Sequence, residues 1–252
     1  MLYLLTNIGA WLGIAILFGL GVLLDYKNLK KINILTMTVT SLLIALSVIL
    51  TNLIGYTITI TGGIRLALGN FLIFVVGMLF GPFFGVMSGI ATDTLGALVN
   101  IQGTYHAGFA FNLAFYGFIG SVVFLFKNQR FWIIKTIMLY IITFVLISFV
   151  FNVLWLYSIG WNFVVLGTTF IAKAIKFPIQ MAIYLPMAIS SFTILYKLIT
   201  SRHSINLWCA ENRSLKLILI RFKKRISCFW TIWFWTSILL PIKLKKYKSP
   251  YK

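Results

Sequence analysis

Long apolar runs, separated by short polar or basic segments, make up most of the chain. Met1 to Leu24 contains no charged residue, and it is longer than the roughly 20 helical residues that cross the hydrocarbon core of a bilayer. Comparable apolar runs follow at 34–54, 68–81, 83–99, 108–126, 131–151 and 163 to about 195. The pattern predicts an all-α integral membrane protein with seven helices. The first belongs to an extra N-terminal segment, residues 1–33, and the others form a six-helix core over residues 34–200.

Glycines are concentrated in residues 62–120, where 12 of the 19 in the chain occur. They recur at every fourth position over 77–89, which predicts close contact between helix backbones. A tight helical turn is expected at Gly81-Pro82, because glycine ends helices and proline suits the first turn of the next one. The β-branched residues of 55–63 indicate an extended or hairpin-like loop before this stretch.

Basic residues in the short loops give the orientation of the helices. The loop 25–33, with three lysines, lies in the cytoplasm according to the positive-inside rule, so the N-terminus lies outside. The basic segments 127–135 and 197–202 are cytoplasmic by the same rule. Residues 100–107 and 152–162 are then outer loops. The second contains aromatic residues that suit the membrane interface: Trp155, Tyr157 and Trp161.

The composition agrees with a membrane protein and argues against several other classes. Of the 252 residues, 61% are hydrophobic and 10% are charged, and the mean hydropathy is +1.00. Basic loops that face an anionic membrane surface explain the formal net charge of +19 without a nucleic-acid partner. With 3 acidic residues the chain lacks the paired carboxylates of hydrolases, and its 2 histidines and 2 cysteines show no metal-ligand spacing. We therefore expect no catalytic residues, no metal site and no cofactor in this chain.

The last segment, residues 201–252, differs in composition from the rest of the chain. Basic residues flank an apolar and aromatic run at 226–240. Two arrangements remain open for this basic and aromatic tail: an interfacial helix on an anionic lipid leaflet, or a poorly ordered extension. We assign it no function.

Three cations contradict the positive-inside rule, because the predicted topology places them on the outer side. Arg65 precedes the third helix, and Lys173 and Lys176 lie on one face near the outer end of the last helix. The helix from Lys176 to Lys197 is about 31 Å long, which places these two lysines at opposite interfaces. A single lysine there could simply extend to the lipid headgroups. Together the three cations predict a site for an anion, such as a substrate with carboxylates.

Asp93 is expected about 9 Å below the outer end of its helix, where an ionised carboxylate needs a partner. Two partners remain open. One is an ion pair with Arg65 or one of the outer lysines. The other is a substrate ring whose two parallel N–H groups bind the carboxylate as guanidinium does. A ligand could also displace an internal ion pair.

Further candidate binding residues surround this carboxylate in the predicted topology. Aromatic side chains near the start of the fifth helix, among them Tyr105 and Phe109, are available to stack on a flat ring. Asn70 and Asn112 offer hydrogen bonds. His106 is also a candidate, although a solvated histidine in the outer loop is the simpler interpretation.

Motifs in the glycine-rich stretch resemble those of the substrate-binding S components of energy-coupling-factor vitamin transporters, most closely the folate type. They are the GMLFGP turn, the Asp-x-x-Gly-Ala pattern at 93–97 and the Gly-x-Tyr-x-x-Gly-Phe pattern at 103–109. The segment IAKAIKFPIQ of the last helix is also similar to a basic segment of that family. The resemblance covers about 34–200, and it leaves out the first helix and the tail.

The resemblance implies the six-helix S-component fold and high-affinity capture of folate, or of a reduced folate, outside a bacterial cell membrane. It also implies a complex with a transmembrane coupling protein and two ATPase subunits. ATP is used by those partners, and the S component tilts in the lipid to deliver its substrate. Asp93 would then bind the pterin edge, while Arg65 with Lys173 or Lys176 would hold the glutamate carboxylates.

The small-residue face through which the family docks on the coupling protein corresponds to Ser41 and Ala45 of the first core helix. Two other functions remain open. One is an S component for another flat vitamin such as riboflavin, which is neutral and leaves the outer cations unexplained. The other is a stand-alone secondary transporter, which would show an internal repeat and coupling-ion carboxylates that we do not find in the sequence.

Overall fold

The protein is described by a computed structural model that covers residues 1–29, 33–54, 59–60, 64–65, 69–99, 105–125, 131–202 and 207–209. These residues belong to one compact unit, Met1–Glu211. A second unit, Asn212–Lys252, lies outside the described residues. The two arrangements predicted there, an interfacial helix or a poorly ordered extension, therefore lie outside them as well.

The described chain is almost entirely helical. Its elements are α1 (Leu2–Leu29), α2 (Ile34–Ile49) with a π-helical continuation (Leu50–Ile54), β1 (Thr59–Ile60), β2 (Ile64–Arg65), α3 (Asn70–Phe80), α4 (Pro82–Val99), α5 (Ala107–Leu125), α6 (Trp132–Val145), a second π-helical segment (Leu146–Phe151), α7 (Asn152–Ser158) and α8 (Phe163–Arg202). α6, the second π-helical segment and α7 run on from one another as a single apolar span, Trp132–Ser158.

The described residues contain six helices that are long and apolar enough to cross a membrane, and α3 is a shorter apolar helix. Together they match the predicted succession of one N-terminal helix and six more. The prediction of an all-α integral membrane protein is therefore confirmed. Apolar side chains remain exposed along α1, α2 and α8, for example Leu23 (75%) and Ile34 (81%), as expected for surfaces that face lipid.

α3 is too short to cross a bilayer, since its 11 residues extend about 16 Å. Its residues from Phe71 to Phe80 are all buried, which is the pattern of a helix surrounded by protein on every side. The helix ends at Gly81, whose φ of 99° favours glycine, and Pro82 begins α4. This confirms the predicted turn.

Glycines allow α3, α4 and α5 to pack backbone against backbone. A Cβ atom on Gly85 of α4 would collide with the carbonyl group of Gly117 in α5 and lie 3.0 Å from the Cα of Gly77 in α3. The glycine-rich stretch therefore forms the centre of the helix bundle, as its spacing predicted.

A short hairpin precedes α3. β1 and β2 pair antiparallel, with Thr59 opposite Arg65 and Ile60 opposite Ile64, and β2 contacts α8. The hairpin-like connection predicted for 55–63 is confirmed for its described residues. The fold thus brings the backbone of Arg65 next to the helix that carries Lys173 and Lys176.

Two predicted loops are helical instead. Residues 152–158 form α7, and α1 continues through Asp25 to Leu29. Neither segment contains a glycine or proline, so nothing in the local sequence ends the preceding helix. The helix that contains α7 ends just before Gly160, whose φ is 102°. As a result Trp155, predicted for the membrane interface, is buried at 7% exposure, whereas Tyr157 and Trp161 are exposed.

α1 packs against α4, α5 and α7. Gly21 of α1 permits close approach to α4, because a Cβ there would lie 3.3 Å from the Cα of Phe83. At the same end of the bundle Asp25 is buried beside Gly81. The N-terminal end of α1 lies at the start of α5. The predicted topology places both of these helix ends on the outer side of the membrane, and in the structure they lie together.

A short part of the tail packs onto the bundle near the turn between α3 and α4. The backbone N–H of Trp208 donates to the Leu79 carbonyl at 2.9 Å, and its indole N–H donates to the Ser121 carbonyl at 3.0 Å. Leu207 and Cys209 are buried. The first of these bonds satisfies a carbonyl group in the last turn of α3, which has no donor within the helix.

Candidate functional site

Asp93 and Tyr105 form the centre of the candidate site. Asp93 lies in the second half of α4, and Tyr105 lies two residues before α5, where its hydroxyl donates a hydrogen bond to the Asp93 side chain. The Oδ2 atom of Asp93 is buried, and the described residues provide no hydrogen-bond partner for it. The carboxylate therefore has acceptor capacity that this part of the protein leaves unused.

Tyr105 is suited to hold this carboxylate. Its partial burial raises the pKa of the phenol, and the adjacent Asp93 charge raises that pKa further. The hydroxyl thus remains protonated, and acts as a donor, at any physiological pH. The ring itself is 41% exposed, which leaves one side of it accessible.

His106 follows directly and is fully buried, so the interpretation as a solvated loop residue is wrong. The Gly108 N–H donates to its Nδ1 at 2.9 Å, so His106 is the N-cap of α5. Its Nε2 lies 3.2 Å from the hydroxyls of both Thr6 and Ser158. Because Nδ1 accepts, we assign the proton of the neutral ring to Nε2, which donates to one of these hydroxyls. Burial lowers the pKa of His106 and favours this neutral form.

Aromatic rings surround the start of α5. The ring of Trp155 lies 5.3 Å from that of His106, and it packs so closely on α5 that a Cβ on Gly108 would collide with it. The Trp155 N–H donates to Asn112 Oδ1 at 3.1 Å, so one polar group of Asn112 already has a protein partner. Phe109, the predicted stacking residue, packs edge-to-face with the His106 ring, with 6.4 Å between the ring centroids.

The two lysines lie on α8. Lys173 is half-buried, and its Nζ donates to the Ser148 carbonyl at 3.4 Å, within the second π-helical segment. This contact gives the ammonium group a polar partner, which a cation in a membrane-spanning helix needs. Lys176 is also half-buried. Arg65 has a described backbone in β2, while its side chain lies outside the described residues.

The structure brings some of the predicted binding residues into contact. Asp93 contacts Tyr105 directly, and His106 connects to Asn112 through Trp155. Asn70 is the first residue of α3 and is half-buried. No pattern in the sequence indicates Thr6 or Ser158 as partners of His106, because they are 100 and 52 positions away in the chain.

Ser41 and Ala45, predicted to dock on a partner, are both exposed on α2. The opposite face of α2 is buried in the bundle through Thr36, Thr40, Leu43, Ser47 and Val48. The small-residue face is therefore accessible in the isolated chain, and its role in docking stays a prediction.

Comparison with known proteins gives one relative that agrees with the sequence motifs. The chain is 27% identical over 156 residues to the folate transporter FolT of Clostridium novyi (strain NT), an alignment that covers 60% of this chain and 86% of that protein. The chain resembles a bacterial folate transporter. No protein-family model and no solved structure matches it. The similarity and the apolar helices support a multi-pass bacterial membrane protein, and the similarity supports the resemblance to folate-type S components.

Proposed function

We propose that this protein is the substrate-binding S component of a folate-type energy-coupling-factor importer. It captures folate or a reduced folate on the outer side of a bacterial cell membrane. The observation that carries the proposal is the Asp93 carboxylate, which is held by Tyr105 and has a buried Oδ2 without a partner among the described residues. The similarity to a protein named as a folate transporter supports the same conclusion.

The chemistry of the pterin ring fits this carboxylate. A pterin presents an amino group and a ring N–H side by side, and the two can donate in parallel to the two oxygens of a carboxylate. Each carboxylate oxygen accepts more than one hydrogen bond, so the oxygen that binds Tyr105 can also accept from the ring. A buried carboxylate without such a donor is costly, which favours ligand binding.

Cations and aromatic rings complete the proposed site. Arg65 with Lys173 or Lys176 holds the glutamate carboxylates of the substrate, and β2 contacts α8, the helix that carries both lysines. An ammonium group has three donors, so Lys173 retains two after it binds the Ser148 carbonyl. The ring side of the site includes Phe109, Asn70 and Asn112 in this proposal. His106 is fully buried and both of its ring nitrogens have protein partners, so it supports this side and does not contact the substrate.

Transport requires partners in this proposal. The exposed Ser41 and Ala45 face of α2 docks on a transmembrane coupling protein, and two ATPase subunits use ATP to drive the S component to tilt in the lipid.

The chain itself is not an enzyme. Riboflavin is the alternative substrate, but a neutral ring makes no use of the cations on α8. A stand-alone secondary transporter is a less favoured alternative.

The test is equilibrium binding of the purified protein to a panel of vitamins that includes folate, 5-formyltetrahydrofolate and riboflavin. We expect tight binding of folate or 5-formyltetrahydrofolate and no measurable binding of riboflavin. Tight binding of riboflavin, or of a cationic vitamin, would contradict the proposed substrate.

A further inference from the structure

We infer that α1 is a positioning element for the binding site, and that Tyr3, Thr6 and Asn7 act through the start of α5. This inference rests on the proposed function, since it assigns α1 a role in substrate binding. α1 lies outside the segment that resembles S components, so the inference comes from the contacts of this chain.

Three side chains near the beginning of α1 bind the chain just before and at the start of α5. The Tyr3 hydroxyl donates to the Tyr105 carbonyl at 2.7 Å. The Ala107 N–H donates to Asn7 Oδ1 at 3.0 Å. The Thr6 hydroxyl lies 3.2 Å from His106 Nε2. Consecutive positions of one segment are thus held by a helix that is about 100 residues away in sequence.

These contacts cap α5 from another helix. The first N–H groups of a helix have no acceptor within it, and they need side chains or water instead. In α5 the Gly108 N–H is bound by His106, and the Ala107 N–H by Asn7 of α1. Loss of the α1 contacts would therefore make the backbone around Tyr105 less ordered.

The bond between Thr6 and His106 orients the histidine ring. The Thr6 hydroxyl can donate to the carbonyls of Leu2 or Tyr3, at 3.0 and 3.1 Å, so its lone pairs are available to the N–H of His106. Below these polar contacts, Ala10 of α1 packs in a buried cluster with Ala107. The polar contacts and the apolar contacts together fix the position of α1 relative to α5.

Tyr105 connects the contacts of α1 to the substrate site. Its backbone is held by Tyr3, and its side chain holds Asp93. A preorganised carboxylate binds its ligand more tightly than one that must be ordered on binding, because the entropy cost is already met. α1 therefore acts on the pterin end of the substrate and leaves the glutamate end unaffected.

Tyr3→Phe and Asn7→Leu each remove one of these bonds, and Leu4→Ala at an exposed position of α1 (64%) is the matched control. The test compares the affinities of the full-length protein for folate and for p-aminobenzoylglutamate, which lacks the pterin. We expect both variants to bind folate about 3- to 10-fold more weakly, with the affinity for p-aminobenzoylglutamate unchanged. Tyr3→Phe should have no further effect in a Tyr105→Phe background. Unchanged folate affinity in both variants, or equal losses for both ligands, would overturn the inference.

Amide hydrogen exchange of the ligand-free protein separates this inference from the proposed function. Asn7→Leu should speed exchange in the peptide around residues 105–110, whereas Leu4→Ala should not. If the wild-type protein binds no folate, the proposed function fails. In that case the exchange result still decides whether α1 orders the start of α5, and unchanged exchange would overturn that as well.

Discussion

The hydroxyl of Tyr105 binds the carboxylate of Asp93 across the gap between α4 and α5, and Oδ2 of that carboxylate is buried without a partner among the described residues. Burying an acceptor in this way costs free energy unless a ligand compensates it. The pair is therefore the feature of this bundle that most directly indicates substrate binding.

Tyr105→Phe removes the hydroxyl that orients Asp93 while keeping the ring. We expect folate affinity to fall about 5- to 20-fold, because a hydrogen bond to a charged group is lost and the ring contact remains. Isothermal titration of the purified variant measures the change. Phe109→Leu is a useful comparison, since it alters a ring and no hydrogen bond to Asp93; an unaltered affinity for Tyr105→Phe would show that the phenol does not position the carboxylate.

Lys173→Met should weaken folate binding about 10-fold, because it removes a cation that is proposed to hold the glutamate carboxylates. Pteroate, which lacks the glutamate, should bind the variant and the wild-type protein equally well. Comparison of the two ligands distinguishes a contact with substrate from the bond between Lys173 and the Ser148 carbonyl. Equal losses for both ligands would indicate that the lysine serves only to support the π-helical segment.

The stability of the protein should depend on the protonation of His106. Burial lowers the pKa of its imidazole from the ordinary value of 6.5 in the folded state. The unfolded chain therefore binds a proton first as the pH falls, so the free energy of unfolding decreases below about pH 6.5 and is at its full value above it. The melting temperature of the wild-type protein should therefore fall as the pH is lowered from 8 to 5. For His106→Gln this fall should be smaller, and an identical fall would exclude His106 as its source.

Gly85→Ala should destabilise the bundle, because the added methyl group meets the backbone of α5 and α3. Overpacking of this kind costs about 1–3 kcal/mol, which lowers the melting temperature measurably. Gly19→Ala in α1 is the matched control, since nothing lies within 4 Å of the added atom. Equal melting temperatures for the two variants would contradict the close packing of α4 on α5.

Sequence patterns predicted the membrane helices, the Gly81-Pro82 turn and the contact of glycine-bearing faces, because these features depend on local hydrophobicity and spacing. They fail at α7, because its aromatic residues suggest an interfacial loop whereas the segment is helical. They also failed at His106, whose burial depends on Thr6 and Ser158 at distant positions. Contacts between remote side chains leave no periodic signal in the sequence, so the capping of α5 by α1 was visible only in the structure.

Replacement of Asp93 by asparagine is the most direct test of the central claim. The change keeps the shape of the side chain and removes the charge that is proposed to accept two donors from the pterin. Equilibrium binding of folate to purified Asp93→Asn should weaken at least about 10-fold, and up to roughly 100-fold, with Thr94→Val at the exposed neighbouring position as the control. Insertion and melting temperature should stay close to those of the wild-type protein. Wild-type affinity in Asp93→Asn would contradict the claim that this carboxylate binds the substrate.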